Sequence, residues 1–349
     1  MSDPEFGALP DGRRVHRLVI GTPPGPVLHL LDLGATVHRL EVTDVDGDRR
    51  NVVLGLPTPE AYLASTDYLG GTVGRYANRI AGGSFEVDGR LCTLAPNDRG
   101  NNVHGGPDGF DRRLWTVADR GPSYVELALD SPDGDQGFPG RLRAVARFTV
   151  SATAVEVALT ATTDAPTVVN LTSHAYFHLD GAGQGPVDDH LLTVAADAYT
   201  PVDATGIPFG EHAPVAGTPF DLRSPTAVGA AVRADHPQVR AARGIDHNYV
   251  LSGSRPAAVL TSPRSGIRME LRTDQPGLQV YTGNGLDGAA LSADGSSLRQ
   301  GDGIALEAQL FPDTPNRPGF GTAVLRPGAT YSSVTVWEFG TISGPRGGS

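Results

Sequence analysis

Glycine and proline interrupt this chain about once in every five residues, 45 and 28 of them in 349. Between the interruptions lie short runs of alternating apolar and polar side chains. The punctuation stays below the level of a low-complexity chain, so it reads as many turns between short strands. Runs of this kind cover residues 17–21, 27–39, 124–130, 141–150, 155–162, 257–261, 268–273, 278–282, 304–309 and 331–339. Residues 84–87 and 90–94 flank Asp88-Gly89, a hairpin turn signal. Helical signals are few. Residues 58–65 make one short helix, with Thr58 as cap and Pro59 in the first turn, and residues 224–239 hold another. The expected fold is therefore all-β, a large antiparallel β-sandwich with few short helices. No composition break marks a linker, so residues 1–349 read as one domain, with flexible ends at 1–14 and 341–349.

What is missing narrows the chemistry. Every basic residue is arginine; the chain has no lysine. Schiff-base catalysis and a P-loop are thereby excluded, because each needs a primary amine. Cys92 is the single cysteine, which leaves no intrachain disulfide and no cysteine-rich zinc site. A formal net charge of -11 argues against nucleic acid and anionic membranes as partners. No run is long and apolar enough to cross a bilayer, and residues 1–14 lack a secretory signal pattern. A cytoplasmic protein is expected.

Three runs carry reactive side chains. In residues 167–179, read as one strand, Asn170, Thr172, His174 and Tyr176 fall on one face. Val169, Leu171, Ala175 and Phe177 fall on the other. In residues 278–284, Gln279 and Tyr281 share a face. In residues 303–310, Glu307 shares a face with Ala305 and Gln309, opposite Ile304 and Leu306. A carboxylate in an apolar strand is costly unless it is paired or solvated in a cleft, and a sandwich exterior would also accommodate it. An acid on one strand and a histidine on another are the groups general acid–base catalysis uses. Two glycine-rich loops, 70–83 and 101–115, add Asn78, Arg79 and His104.

These stretches together resemble the aldose 1-epimerase family, the mutarotases. The likeness rests on Gly74-Arg-Tyr-Ala-Asn-Arg-Ile80, Val103-His-Gly-Gly-Pro-Asp-Gly-Phe-Asp111, and residues 170–179 and 303–313. Residues 199–208, 244–249 and 278–284 support it. The resemblance runs in order from about residue 70 to 339. It implies a β-sandwich that binds a sugar in an open cleft on one sheet. It also implies Glu307 as general base, His174 as general acid and His104 as a second histidine near the reacting end of the sugar. Asn78, Arg79, Asp246 and Gln279 would then hydrogen-bond sugar hydroxyls. Two positions depart from the family pattern: Ser173 and His178 stand where asparagine is common.

The implied reaction interconverts the α and β anomers of a free hexose such as glucose or galactose. The base takes the C1 hydroxyl proton and the acid protonates the ring oxygen. The ring opens, C1 turns, and closure reverses both transfers. No metal and no cofactor are required. Tyr281 or Phe311 is an expected aromatic platform for the sugar. From unperturbed values of about 4.3 for Glu and 6.5 for His, the acid limb of the pH profile should report Glu307 and the alkaline limb His174. The less favoured readings are Arg79 as a structural tie and Asp246 as a turn former. His178 reads as structural or rim-forming. A hexose-6-phosphate 1-epimerase and a non-catalytic sugar-binding sandwich remain as alternatives. The expected partner is a small sugar, and the assembly a monomer or homodimer.

Overall fold

In a computed structural model the protein is described over residues 4–342. Antiparallel pairing follows from the short connections: hairpins close neighbouring strands, whereas parallel pairs would need long crossovers. The described residues form a nine-stranded sheet, a six-stranded sheet, a five-stranded sheet and several two-stranded ladders.

In the nine-stranded sheet the longest strands are Leu142–Val150, Ala154–Thr163 and Tyr331–Thr341. The alternation of Leu142–Val150 buries Leu142, Ala144, Ala146, Phe148 and Val150. These meet Leu278, Val280, Ile304, Leu306 and Ala308 of the six-stranded sheet in one buried cluster. Phe177 stacks edge-on against Trp337 across the layers, 5.1 Å between ring centroids. Leu18, Leu28, Leu30 and Leu40 of the five-stranded sheet join the same cluster. The sandwich expected from the strand pattern is what forms.

The helix Pro59–Ala64 is where the sequence places it, with Thr58 Oγ1 accepting from the Ala61 amide at 3.2 Å. Residues 224–239 hold one helix, Val228–Val232, and a second, Pro237–Ala242, begins near their end.

Two expectations need correction. The N-terminal stretch read as a loose end contains the strand Glu5–Ala8, which pairs with Arg14–Ile20, and Phe6 packs on His38 and Tyr62. Residues 1–3 and 343–349 lie outside the described residues. Residues 167–179 are not one strand. Thr167–Val168 pairs with Val324–Leu325, Thr172–Ser173 with Thr72–Val73, and Tyr176–Phe177 with Ile304–Gln309. The segment passes between partners in three ladders, so both of its faces are buried. A two-faced alternation does not describe it.

Candidate active site

The floor of the site is set by register in the six-stranded sheet. Asn248 lies opposite Gln279, and Gln279 opposite Glu307. Two residues along, Asp246 lies opposite Tyr281, Tyr281 opposite Ala305, and Ala305 opposite Tyr176. Strand alternation sends both rows away from the core. Ala305 is small, and the rings of Tyr176 and Tyr281 come within 5.9 Å of each other across it. Above these rows the chain closes a cleft of about 510 Å³, lined by residues from the 63–68, 78–79, 97–98 and 103–107 segments with His174, Tyr176, Asp246, Tyr281 and Glu307.

Glu307 and His174 meet in this cleft, with His174 Nε2 3.6 Å from Glu307 Oε1. Both are buried, Glu307 2% and His174 4% exposed, so neither draws much on bulk solvent. The His174 backbone is pinned on both sides: its amide donates to Gly71 O at 2.8 Å, and its carbonyl accepts from the Gly70 amide at 3.0 Å. Asn170, on the same segment, bridges the walls. Its Nδ2 donates to Ala77 O at 3.0 Å, and its Oδ1 accepts from the Leu310 amide at 3.0 Å.

Burial pushes the Glu307 carboxyl well above its ordinary range; Asp246 adds to this and Arg79 opposes it. Burial also drives His174 down to about 4, against a smaller upward pull from Asp246. The short contact between them would favour both charged forms, but desolvation is the larger influence on each group. Desolvation thus favours the neutral form of each group, a protonated carboxyl beside an uncharged imidazole.

His104 faces His174 with ring centroids 5.1 Å apart and planes at 84°. Tyr68 covers both imidazoles, 4.5 Å from His104 and 5.8 Å from His174 between centroids. Arg79 donates from Nε to Asp98 Oδ2 at 2.7 Å and holds Nη2 3.8 Å from Asp246 Oδ2. Arg79 thus makes a structural tie and also lines the cleft. Asp246 opens the strand Asp246–Leu251; it is not a turn former. His104, His174 and Glu307 offer potential ligand atoms within 4.8 Å of one another, as do His178, Asp180 and His190 in a separate buried cluster.

Of the eight residues singled out in the sequence, seven line the cleft: Glu307, His174, His104, Asn78, Arg79, Asp246 and Tyr281. Gln279 lies behind Asp246 and donates to its Oδ1 at 2.6 Å. It is 3% exposed, and its contact is with the carboxylate. Phe311 also stands away from the cleft, packed with His212 and Phe320. His178 is buried, bonded through Nε2 to Gly185 O, which makes it structural. Tyr68, Asn97, Asp98 and Arg112 line the cleft without having been identified in the sequence. Asp98 sits in Asn97-Asp-Arg-Gly100, whose composition reads as a turn. Tyr68 lies at positive φ, 56°, which no alternation pattern reveals. A basic residue two positions after the His-Gly-Gly loop's aromatic was the available signal for Arg112.

Comparison with known proteins agrees with this geometry. The profile of a family described as aldose 1-epimerase matches residues 17–338. An aldose 1-epimerase of Escherichia coli is 39% identical over 337 residues, 95% of this chain and 96% of that protein. Human galactose mutarotase is 42% identical over 315 residues, 89% and 90% of the two chains. Among solved structures, a galactose 1-epimerase from Lactobacillus acidophilus superposes with a TM-score of 0.85 at 31% identity, covering 97% of this chain and 98% of the other. An aldose epimerase homologue from Caenorhabditis elegans gives 0.88 at 30% identity, covering 94% and 100%.

Proposed function

The chain belongs to the aldose 1-epimerase family, and from that membership we propose that it interconverts the anomers of a free hexose with Glu307 as general base and His174 as general acid. The observation that carries the assignment is the buried pair itself. A carboxyl and an imidazole 3.6 Å apart face a cleft wide enough for a sugar ring. When the C1 hydroxyl donates to Glu307 and the ring oxygen accepts from His174, the proton must sit on the imidazole. Ring opening then moves the C1 hydroxyl proton to the carboxylate and the imidazole proton to the ring oxygen. Ring closure on the opposite face returns both, and no net proton leaves the site.

Asp246 and Arg79 are the sugar-holding groups of this reading, braced by Gln279 and Asp98. Bidentate and charge-assisted contacts of this kind fix orientation. Tyr281, whose hydroxyl accepts from the Gly285 amide at 2.7 Å, offers its ring as one wall. The unphosphorylated class is favoured because the nearby guanidinium groups are already engaged. Arg75 is buried against the carbonyls of Ser131, Pro132, Pro139 and Gly140, Arg79 faces two aspartates, and Arg112 binds Leu63 O and Ser65 O.

Polarimetry tests the reading: α-glucose and α-galactose should relax to anomeric equilibrium far faster with the protein than without it. Acceleration confined to the 6-phosphates would sink the free-hexose assignment. A cytoplasmic monomer or homodimer is part of the same proposal. No helix among the described residues is long and apolar enough to cross a membrane.

A further inference from the structure

The geometry points to a division of labour between the two histidines: the Asn78 backbone amide locks His104 in the Nε2–H tautomer, so His104 serves as a fixed neutral donor while His174 exchanges its proton. The inference rests on the mutarotase reading of the cleft and deepens it. It starts from the backbone. The short ladder of Arg79–Ile80 with Asn102–Val103 is flanked by two residues in the left-handed region, Asn78 at φ 63° and His104 at φ 52°. That conformation turns the two residues toward each other. The His104 amide donates to Asn78 O at 3.1 Å, and the Asn78 amide donates to His104 Nδ1 at 3.1 Å. Gly105 makes the turn feasible: at φ 89° a Cβ there would lie 1.9 Å from Gly74 O.

A neutral imidazole carries one N–H. Because Nδ1 accepts from a peptide N–H, its lone pair is occupied and the ring proton stands on Nε2. Protonating Nδ1 would set two donors face to face. Burial, the neighbouring His174 and Arg79 all disfavour the imidazolium as well. His104 therefore presents Nε2–H to the reacting end of the sugar at every pH at which the fold is intact. It stabilises oxygen charge as it develops and neither gives up nor gains a proton. His174 differs in kind. Its Nδ1 accepts from no peptide N–H and its Nε2 faces Glu307, so its tautomer follows the protonation of the carboxyl. The same lock answers the metal question raised by the spacing of His104, His174 and Glu307. A metal needs a nitrogen lone pair, and His104 has one nitrogen accepting a hydrogen bond and the other protonated.

The test is a long-range ¹H–¹⁵N correlation on the full chain labelled with ¹⁵N-histidine, with the His104 signals assigned by their loss in His104→Gln. The expected spectrum shows His104 neutral and Nε2-protonated, unchanged across the working pH range. An Nδ1-protonated pattern, or a titrating His104, overturns the inference. The substitutions give an independent reading. Glutamine can place an amide N–H near the original Nε2, whereas asparagine is too short. His104→Gln should stay within about tenfold of wild type in kcat/KM, and His104→Asn should fall by about 10²-fold, as for loss of one preorganised donor. Equal losses overturn the assignment, as would EDTA-reversible Zn²⁺ inhibition that His104→Gln abolishes. Should the wild type fail to interconvert anomers, the functional reading falls while the tautomer is still read from the spectrum.

Discussion

The outer faces of the two large sheets carry the same alternating polar residues and treat them in opposite ways. On the nine-stranded sheet, Glu126 lies opposite Arg147, and Asp130 opposite Arg143. Both pairs meet in solvent at 3.3 and 3.1 Å. On the six-stranded sheet, Glu307, Gln279 and Asn248 form a comparable cross-strand row, but all three are at least 97% buried. Glu307 Oε2, Gln279 Oε1 and Asn248 Oδ1 have no hydrogen-bond partner. One sheet pairs its charges with neighbours. The other leaves polar atoms unpaired, and segments of the 63–112 region roof its Glu307. Buried unsatisfied groups are costly, and at Glu307, the member of the row that lines the cleft, that cost is tolerated where a ligand will satisfy it. The contrast locates the functional face without reference to any relative.

Glu307→Gln tests that contrast most severely. Removing the base should lower kcat/KM by about 10²–10⁴-fold, while the melting temperature holds or rises, because an amide is cheaper to bury than a carboxylate. The matched substitution Glu126→Gln should leave kcat/KM at wild type. Polarimetry and thermal unfolding on both variants decide it. Comparable losses at the two positions would mean that the sheets do not differ as described.

The pH profile of kcat/KM sharpens the comparison next. Activity requires one proton on the Glu307–His174 pair. The histidine is lowered to about 4, so below that value both groups are protonated and the base is lost. The carboxyl is raised, so above its elevated value both are deprotonated and the acid is lost. The acid limb thus follows the imidazole and the alkaline limb the carboxyl, the reverse of the order expected from unperturbed values. Beyond each limb activity should fall about tenfold per pH unit. An alkaline limb at or above the ordinary histidine value, about 6.5, that disappears in His174→Asn would show that pairing outweighs burial.

How far the sequence reveals this site depends on what holds each residue. Glu307 and Tyr281 are set by strand alternation, and alternation is legible, whereas Asp246, at the head of its strand, is legible only through the family resemblance. The all-β sandwich is legible for the same reason. His174 was identified through a strand that does not exist as such. Its neighbours pair with three different ladders, and those pairings are long-range. Gln279 shows the limit of alternation: its parity is right, but Asp246, diagonal to it on the neighbouring strand, turns its amide from the sugar to the carboxylate. Alternation alone also cannot separate Glu307 from Glu126, since the roof that buries one is built by segments far away in the chain. Asn78 and His104 face each other through two positive-φ residues, and backbone handedness at non-glycine positions leaves little trace in composition.

Asn170→Ala measures how the roof is fixed to the floor. The Asn170 side chain is fully buried and satisfies Ala77 O and the Leu310 amide. Its loss strands both backbone groups, so chemical denaturation should show a destabilisation of about 1–3 kcal/mol. Activity should fall as well, because Ala77 precedes Asn78 and Leu310 follows the strand that carries Glu307. Loss of stability with undiminished kcat/KM would show that the two walls keep their spacing without this bridge.

The smallest expected effect belongs to the outer face of the nine-stranded sheet, and it bounds the comparison from below. Arg147 and Glu126 meet at 3.3 Å with side chains 40% and 29% exposed, and the guanidinium also lies 4.1 Å from the Tyr124 ring centroid. Exposed pairs of this kind gain little over hydration and are screened by salt. A double-mutant cycle with Arg147→Met and Glu126→Gln should give a coupling of about 0.2–1 kcal/mol that shrinks as ionic strength rises. Arg147→Met alone should cost slightly more than Glu126→Gln, because it also removes the contact with Tyr124. Neither variant should move the pH limbs, since the pair lies on the opposite layer from Glu307. A coupling above 2 kcal/mol, insensitive to salt, would mean that this face is as desolvated as the cleft floor. The two outer faces would then differ in residue identity and not in environment.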